Sequence, residues 1–409
     1  MKSLFKILVC IFFLILQGIT SCCYADFDSD VLVISDRIVH PYVLENKDSI
    51  VSEYLQLMGD DGEFIDLDYD SHEMSDWDPQ YHNERCFYLA CAYINPNSFF
   101  YESDNLYNSI INALDFYDKK NPWSNNWYKA VIREPKMWGL ILLAMEQGKR
   151  KIPEELKNNY LRKMEDNTLD PSVKTGANRT EIATHFLYRG LLKKNQDLIN
   201  YSLQFLFESM AYTNDASLQV DNSFLQHGAQ LYIGGYGYVY ITDLLNLLSW
   251  VRGTQFIPSD EQIKVLSGFI RSTFQNVIRG RYISYNCVGR PIARQGFLDM
   301  SSLAPSLEIM KEIDYENAPE YDAFIRRLST IPTETDYGVK SCHYHLWRGD
   351  YTIHVRPDYT ITLRTVSNRT IRNESISQEN IYGYYLSDGS ICIAQTGDEY
   401  YDNPLAELI

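Results

Sequence analysis

Asp221-Asn-Ser-Phe-Leu-Gln-His227-Gly-Ala-Gln-Leu-Tyr232-Ile-Gly-Gly235-Tyr236-Gly237 is the stretch on which the reading of this 409-residue chain turns. It packs four Gly, one His and two Tyr between two helical segments, 198–210 and 239–251. Glycine admits positive φ and close approach of the backbone to a ligand. His and Tyr set among such residues can move protons. Read alone, the segment fits an acid/base loop and a tight turn around a hydrogen-bonded His equally well.

Outward from the loop the periodicity is helical. Leu106, Ile110, Ile111, Leu114 and Phe116 mark a helix over 103–117, and Trp138 to Met145 is a strongly apolar stretch. Pro153-Glu154-Glu155 opens another helix with proline and acids in its first turn. Segments 180–192, 198–210, 239–251 and 261–278 follow at helical spacing. Successive helices of this kind over about 250 residues predict paired helices in a toroid or superhelix. The pattern changes near Thr330-Ile331-Pro332. Beyond it, Tyr351 to Val355, Tyr359 to Leu363, Tyr382 to Tyr385 and Ile391 to Ile393 alternate in character, with turns at Arg356-Pro357-Asp358 and Ser387-Asp388-Gly389. These read as strands. The chain is thus mainly α, with a β-domain beginning after the helices.

Charge narrows the partners. The formal net charge is −17, which argues against nucleic acid and anionic membrane. It is unevenly placed: residues 26–85 carry 17 acids against the three bases Arg37, Lys47 and Arg85. The body beyond is nearly balanced, so an acidic polymer remains an acceptable ligand there. With 32 Tyr and 6 Trp, the chain is well supplied with rings that pack in a core or lie against sugar faces.

Residues 1–25 read as a bacterial secretory signal. Lys2 and Lys6 form its charged start, and the apolar run Ile7–Leu16 is too short to span a bilayer. Ile19-Thr20-Ser21-Cys22 resembles a lipobox, which predicts a lipid anchor at Cys22; Cys23-Tyr24-Ala25 offers ordinary cleavage instead. The expected location is secreted, periplasmic or anchored at the outer membrane. No CxxC occurs, and Cys342 with His343 and His345 falls short of a four-ligand zinc set. Asp66-Leu-Asp68-Tyr-Asp70 begins like a calcium loop but has Ser71 and Trp77 where Gly and Glu are needed. No metal site is expected.

The 221–237 loop resembles the signature loop of polysaccharide lyase family eight, the chondroitin AC, hyaluronate and xanthan lyases. Five further segments resemble the family in the same order. They are the acidic segment from Asp61 to Trp77, Asn125-Asn126-Trp127-Tyr128 with Glu134-Pro135, and Thr175-Gly176-Ala177-Asn178-Arg179-Thr180. After the loop come Gly289-Arg290 with Ala293-Arg294, then Tyr351 to Arg364 continuing through Glu374, Glu379-Asn380 and Gly383. The likeness is greatest to the chondroitin AC branch. It departs at Ser377, where the family usually carries Asn.

The resemblance implies an incomplete α/α toroid over 26–335 followed by the opening of an antiparallel β-sandwich over 336–409. The rest of that sandwich would come from sequence missing here or from a separate chain. It implies β-elimination on a uronate-containing glycosaminoglycan, chondroitin or its sulfates with hyaluronan as a further substrate, without metal or organic cofactor. The catalytic residues it implies are Asn178, His227, Tyr236, Arg290 and Glu374; Trp127, Asn126 and Arg294 would bind substrate. Asn178 and His227 would neutralise the uronate carboxylate. Tyr236, beside Arg290, would take the C5 proton and return it to the leaving oxygen; the competing assignment makes His227 the base and Tyr236 the acid. Glu374 would hold Arg290 or His227. Tyr232 and Tyr238 are read as structural. A non-catalytic glycan-binding lipoprotein descended from such a lyase is the alternative. A glycoside hydrolase would need two carboxylates flanking the bond, and the loop offers His, Tyr and Arg.

Overall fold

The computed structural model describes residues 26–329, 339–376 and 379–401. The signal segment with Cys22, the Thr330-Ile331-Pro332 transition, the boundary at 335/336 and Ser377 lie outside the described residues. In chain order the helices are α1 Phe27–Val43, α2 Asp48–Gln56, α3 Pro79–Ile94, α4 Asp104–Lys120, α5 Glu134–Gln147 and α6 Glu154–Asp166. Then come α7 Gly176–Leu192, α8 Gln196–Glu208, α9 Tyr236–Val251, α10 Asp260–Ser272, α11 Ala304–Ile313 and α12 Ala318–Ser329.

Local chemistry sets the ends. In α4, Leu106, Tyr107, Ile110, Ala113, Leu114 and Tyr117 are buried along one stripe. Ser103 accepts from the Leu106 amide at 3.3 Å, and Asn121 closes the helix at φ 48°. α10 starts with a capping box between Ser259 and Gln262. The helix expected to reach 278 stops at Ser272, because the Asn276 side chain takes the carbonyls of Arg271 and Ser272 at 3.1 and 2.9 Å. A strand begins at Ile278 instead.

The helices pack as an incomplete α/α toroid. α3, α5, α7, α9 and α11 touch in succession, while α4, α6, α8 and α12 each pair with the helix before them. α1 packs against α3, α5, α7 and α9 together. It is pinned there by two polar contacts. Arg37 donates to the last carbonyls of α9 at Trp250 and Arg252, 3.0 and 2.5 Å away, and buried Asp30 accepts from the backbone and side chain of Gln255. α5, enclosed on most sides, buries every residue from Trp138 to Met145. The acid-rich segment whose composition hid any helix thus contains α1, the element at the centre.

After α8 the chain forms a small antiparallel ribbon, β1 Ser217–Leu218, β2 Phe224–Gln226 and β3 Gln230–Leu231, and later the hairpin β4 Ile278–Arg279 with β5 Tyr282–Ile283. A four-stranded antiparallel sheet follows in simple order: β6 Cys342–Leu346, β7 Tyr351–Arg356, β8 Tyr359–Arg364 and β9 Ser390–Ala394. Tyr351, Ile353, Val355, Thr360, Thr362, Arg364, Cys392 and Ala394 alternate onto the buried face. That face is fastened to the helical body through Asn286, which accepts from Tyr351 and Thr362 and donates to the carbonyl of Ser390. The opposite face leaves Ile391 and Ile393 half exposed.

The expected strand at Tyr382 to Tyr385 is corrected to a 3-10 turn over Gly383–Ser387. The edge of β8 is already occupied by β9 through Thr360↔Ala394 to Arg364↔Ser390. The chain ahead of β9 turns there without pairing, and the three tyrosines stand in solvent. β6, which the expectation lacked, supplies the fourth strand.

Several ionisable groups are buried without charge partners of equal strength. Burial holds His82 down to about 3, with its ring between the Tyr69 hydroxyl and the Ala113 carbonyl. His185 is likewise held down to about 3. Burial raises Glu134 to about 7, although Tyr117 and Asn83 donate to it. On unfolding, the two histidines take up protons below about 6.5, so their contribution to stability is lost as pH falls from there toward 3. Glu134 does the reverse, since its protonated form favours the fold as pH falls from about 7 toward 4.5. The Glu134→Gln variant should therefore lose urea stability more steeply than the unsubstituted chain between about pH 7 and pH 5. Equal slopes would contradict a protonatable buried Glu134.

Candidate active site

The loop that opened the sequence reading is the β2–β3 hairpin and the entry into α9. His227 sits at the hairpin tip at φ 56°, followed by Gly228 at φ 85°. A left-handed conformation costs a non-glycine residue about 1 kcal/mol and needs something to hold it. The holder is Glu374, whose Oε2 lies 2.6 Å from His227 Nδ1. The glycines have a shared task. A Cβ on Gly235 or Gly289 would come within 2.4 or 2.3 Å of the Tyr232 ring, so the two clamp that ring between them.

Tyr232, read from sequence as structural, is fully buried and reaches the site with its hydroxyl. It donates to Glu374 Oε1 at 2.9 Å and accepts from the Arg290 amide at 3.0 Å. Burial, then the charge of Glu374, raises its phenol far above the ordinary value. It stays protonated and acts as a strut. Arg290 Nη1 also donates to Glu374 Oε1, at 3.2 Å. The carboxylate is fixed from behind: its own amide donates to Gln230 Oε1 at 2.6 Å and its carbonyl accepts from Asn380 at 2.9 Å.

Tyr236, the first residue of α9, is half-buried beside these groups. Its ring centroid is 5.0 Å from that of His227 and 4.9 Å from that of Tyr232, both edge to face. Burial pushes its phenol up, while a hydrogen bond and the charge from Arg290, and the charge of Arg294, pull it back. A second acid, Glu379, was quoted in the sequence motif without a role. It pairs with Arg290 Nε at 2.9 Å and holds Arg294 by two bonds of 2.8 and 3.1 Å. Hydrogen bonding from Arg294 and the charges of both arginines hold its carboxyl below the usual range. Two cations and two carboxylates therefore balance.

Asn178 lies in the first turn of α7, and Thr175 occupies the N-cap position instead. Its side-chain amide has no hydrogen-bond partner among the described residues. Gly176, at φ 58°, is packed so closely that a Cβ would lie 2.4 Å from Gln226 Oε1. This brings the start of α7 against the residue preceding His227. Lys174, just before that helix, lies 4.5 Å from the centroid of the Trp127 ring, and Trp127 is 44% exposed. Asn126 ties its loop to the acidic segment, donating to the Met74 carbonyl at 2.8 Å and accepting from the Tyr128 amide at 3.0 Å.

The structure thus gathers His227, Tyr236, Arg290 and Glu374 and adds Arg294 through Glu379; Asn178 is in the first turn of α7, whose Gly176 packs on Gln226, and Trp127 lies beside Lys174 just before that helix. Tyr232, read as structural, is a strut of the site, whereas Glu379, Gln230 and Lys174 were given no role from sequence. The spacing of Glu379 five residues after Glu374 was the available signal. Among the described residues no group of three or more His, Cys, Asp or Glu side chains is arranged to hold a metal ion.

Comparison with known proteins gives a consistent picture. The model of the N-terminal alpha-helical domain of polysaccharide lyase family 8 matches residues 42–328, and that of the family's super-sandwich domain matches 341–407. The chain is 34% identical over 361 residues to chondroitinase-AC of Pedobacter heparinus, covering 88% of this chain and 51% of that protein. A hyaluronate lyase of Enterococcus faecalis is 28% identical over 195 residues, covering 41% of this chain and 19% of that protein. A chondroitinase AC lyase solved as enzyme–oligosaccharide complexes superposes with TM-score 0.85 at 33% identity, covering 91% of this chain and 55% of the other. A Paenibacillus xanthan lyase, at 19% identity and TM-score 0.70, shares the fold over 87% of this chain and 37% of its own. The chain spans about half the length of the chondroitinase AC relatives.

Glu374→Ala strips His227, Tyr232 and Arg290 of their shared acceptor. Urea unfolding should show a loss of about 2–4 kcal/mol. The Ile371 amide, bonded to the Ala229 carbonyl at 3.1 Å, should lose hydrogen-exchange protection. A loss below about 0.5 kcal/mol would contradict the role given to Glu374.

Proposed function

The chain belongs to polysaccharide lyase family 8, and from that membership and the cluster at Tyr236 we propose that it cleaves a uronate-containing acidic polysaccharide by β-elimination. The observation that carries the reading is the placement of Tyr236 edge to face against His227 and Tyr232, with Arg290 held in the same cluster by Glu374; burial raises its phenol, and the charges of Arg290 and Arg294 oppose that rise. A phenol is a poor base while protonated, and cations at this position favour the phenolate. The C5 proton of a uronate is barely acidic while its carboxylate is charged. Asn178, whose amide is free to donate, and His227 in its imidazolium form, with Nδ1–H on Glu374 and Nε2–H toward the sugar, offset that charge as the aci-carboxylate forms.

The step then balances. The Tyr236 phenolate takes the C5 proton, the C5–H electron pair becomes the C4–C5 double bond, and the C4–O4 bond breaks. The departing oxygen takes the proton back from Tyr236, which returns as phenolate. Glu374 keeps Arg290 and His227 in place.

The sequence likeness to chondroitinase-AC supports chondroitin and its sulfates as first substrates, with hyaluronan next. The amino-terminal segment supports export, with the lipid at Cys22; the mass of the mature N-terminus checks it. The half-exposed Ile391 and Ile393 support a second β-layer over the sheet, supplied by further sequence or by a separate chain. A stable, non-associating protein made of these residues alone would contradict that layer.

Incubation with chondroitin sulfate should yield an unsaturated uronate at each new non-reducing end, read by its ultraviolet absorbance. Tyr236→Phe should lower kcat by at least about 100-fold while binding is retained. Full activity in that variant would overturn the role of Tyr236. Binding without any unsaturated product in the unsubstituted chain would favour a non-catalytic glycan-binding protein.

A further inference from the structure

Beside the His227 loop is a cavity of about 390 Å³ that the proposed chemistry does not use. Gly228 and Ala229 of the loop form one wall, Asp215 another, and Trp347, Arg348 and Arg369 the rest. The last three come from the β6–β7 turn and the segment beyond β8.

That turn is rigidly built. The Arg348 amide donates to Asp221 Oδ2 at 2.6 Å. Gly349 is pressed against the helical body, where a Cβ would lie 2.6 Å from Leu231 Cδ1 and 3.0 Å from Ser223 Cβ. Asp350, buried, accepts from the hydroxyls of Ser367 and Thr370 at 2.6 Å each and from Arg369. On this fixed base Trp347 stands 48% exposed. Leaving so large an apolar ring in water is unfavourable unless something covers it. The Arg348 guanidinium donates to the Asn214 carbonyl at 3.2 Å and forms no ion pair with an acid among the described residues. Its charge and the rest of its planar fork are open toward an anion. Arg369 adds a second cation already shared with Asp350, and Asp215 is the opposing acid.

We propose that this cavity is a subsite for an acidic sugar of the polymer, with Trp347 against a sugar face and Arg348 on its sulfate or carboxylate. The inference rests on the lyase reading, because the cavity adjoins the reaction centre through Gly228 and a chain crossing one reaches the other. Ring face and guanidinium lie together, the Arg348 group being 5.7 Å from the Trp347 centroid. A flat apolar surface beside an unmatched cation is what an anionic pyranose presents partners for.

The test is equilibrium binding of size-defined chondroitin oligosaccharides, sulfated and unsulfated, to the full chain carrying Tyr236→Phe so that nothing is turned over. Adding Arg348→Ala should weaken octasaccharide binding about tenfold, one charge-assisted contact's worth. A larger loss for the sulfated series assigns sulfate to Arg348, and an equal loss assigns the carboxylate. Trp347→Ala should weaken both series. Arg348→Gln, which keeps a donor for Asn214, serves if the alanine variant fails to fold. Unchanged affinity in the Arg348 and Trp347 variants, with the Tyr236→Phe chain binding normally, overturns the subsite alone. Failure of the Tyr236→Phe chain to bind any of these saccharides overturns the lyase reading and the subsite with it.

Discussion

A carboxylate taken out of water must be met by donors, and Glu374 is met by three that lie 84 to 147 residues away along the chain. The cost of desolvating a charge amounts to several kcal/mol and is recovered only with good geometry. Here the geometry joins the two halves of the molecule. His227 and Tyr232 come from the ribbon ahead of α9, Arg290 from the segment after the β4–β5 hairpin, and the carboxylate itself from the chain following β8. Because Glu374 already accepts from a phenol and a guanidinium, the proton between it and His227 is assigned to Nδ1. Remove that acceptor and the left-handed backbone at His227 has no reason to persist. Position, tautomer and loop conformation share one cause.

The same carboxylate explains how the charge is arranged. The acid-rich segment 26–85 that dominates the composition does not supply the site. Part of it is spent internally, as in Asp66, paired bidentately with Arg85 at 2.6 Å per bond, and Asp30, holding Gln255. The site has two cations against two acids, with Glu379 drawing Arg290 and Arg294 together beside Tyr236. For the proposed uronate substrate, the donors of this cluster are already oriented by their own contacts.

Much of this could be read from the chain. Amphipathic spacing placed α4, α5, α7, α8 and α9, because each buries a single stripe or is enclosed by its neighbours. The glycines around His227 and Tyr236 marked a loop where backbone and ligand come close. What escaped was decided by tertiary contact. α1 sits in the acid-rich segment, for which the periodicity assigned no helix, and Asp30 and Arg37 pin it against the end of α9. The alternation at Tyr382 to Tyr385 looked like a strand, but the chain there turns over Gly383–Ser387 into β9 and pairs with no strand among the described residues. Tyr232 looked like ordinary packing because its two hydrogen bonds go to partners 58 and 142 residues away, which no local pattern reveals. Glu379 stood in plain view as a surface-type acid, and its pairing with both arginines became visible only in three dimensions.

The central claim is that Glu374, as shared acceptor, fixes the proton of His227 and the place of Arg290 beside Tyr236. Long-range 1H–15N NMR on the histidine-labelled chain reads the His227 tautomer directly. The account predicts that neutral His227 carries its proton on Nδ1 and that the Glu374→Gln variant loses this preference. A neutral His227 protonated on Nε2 in the unsubstituted chain would contradict it.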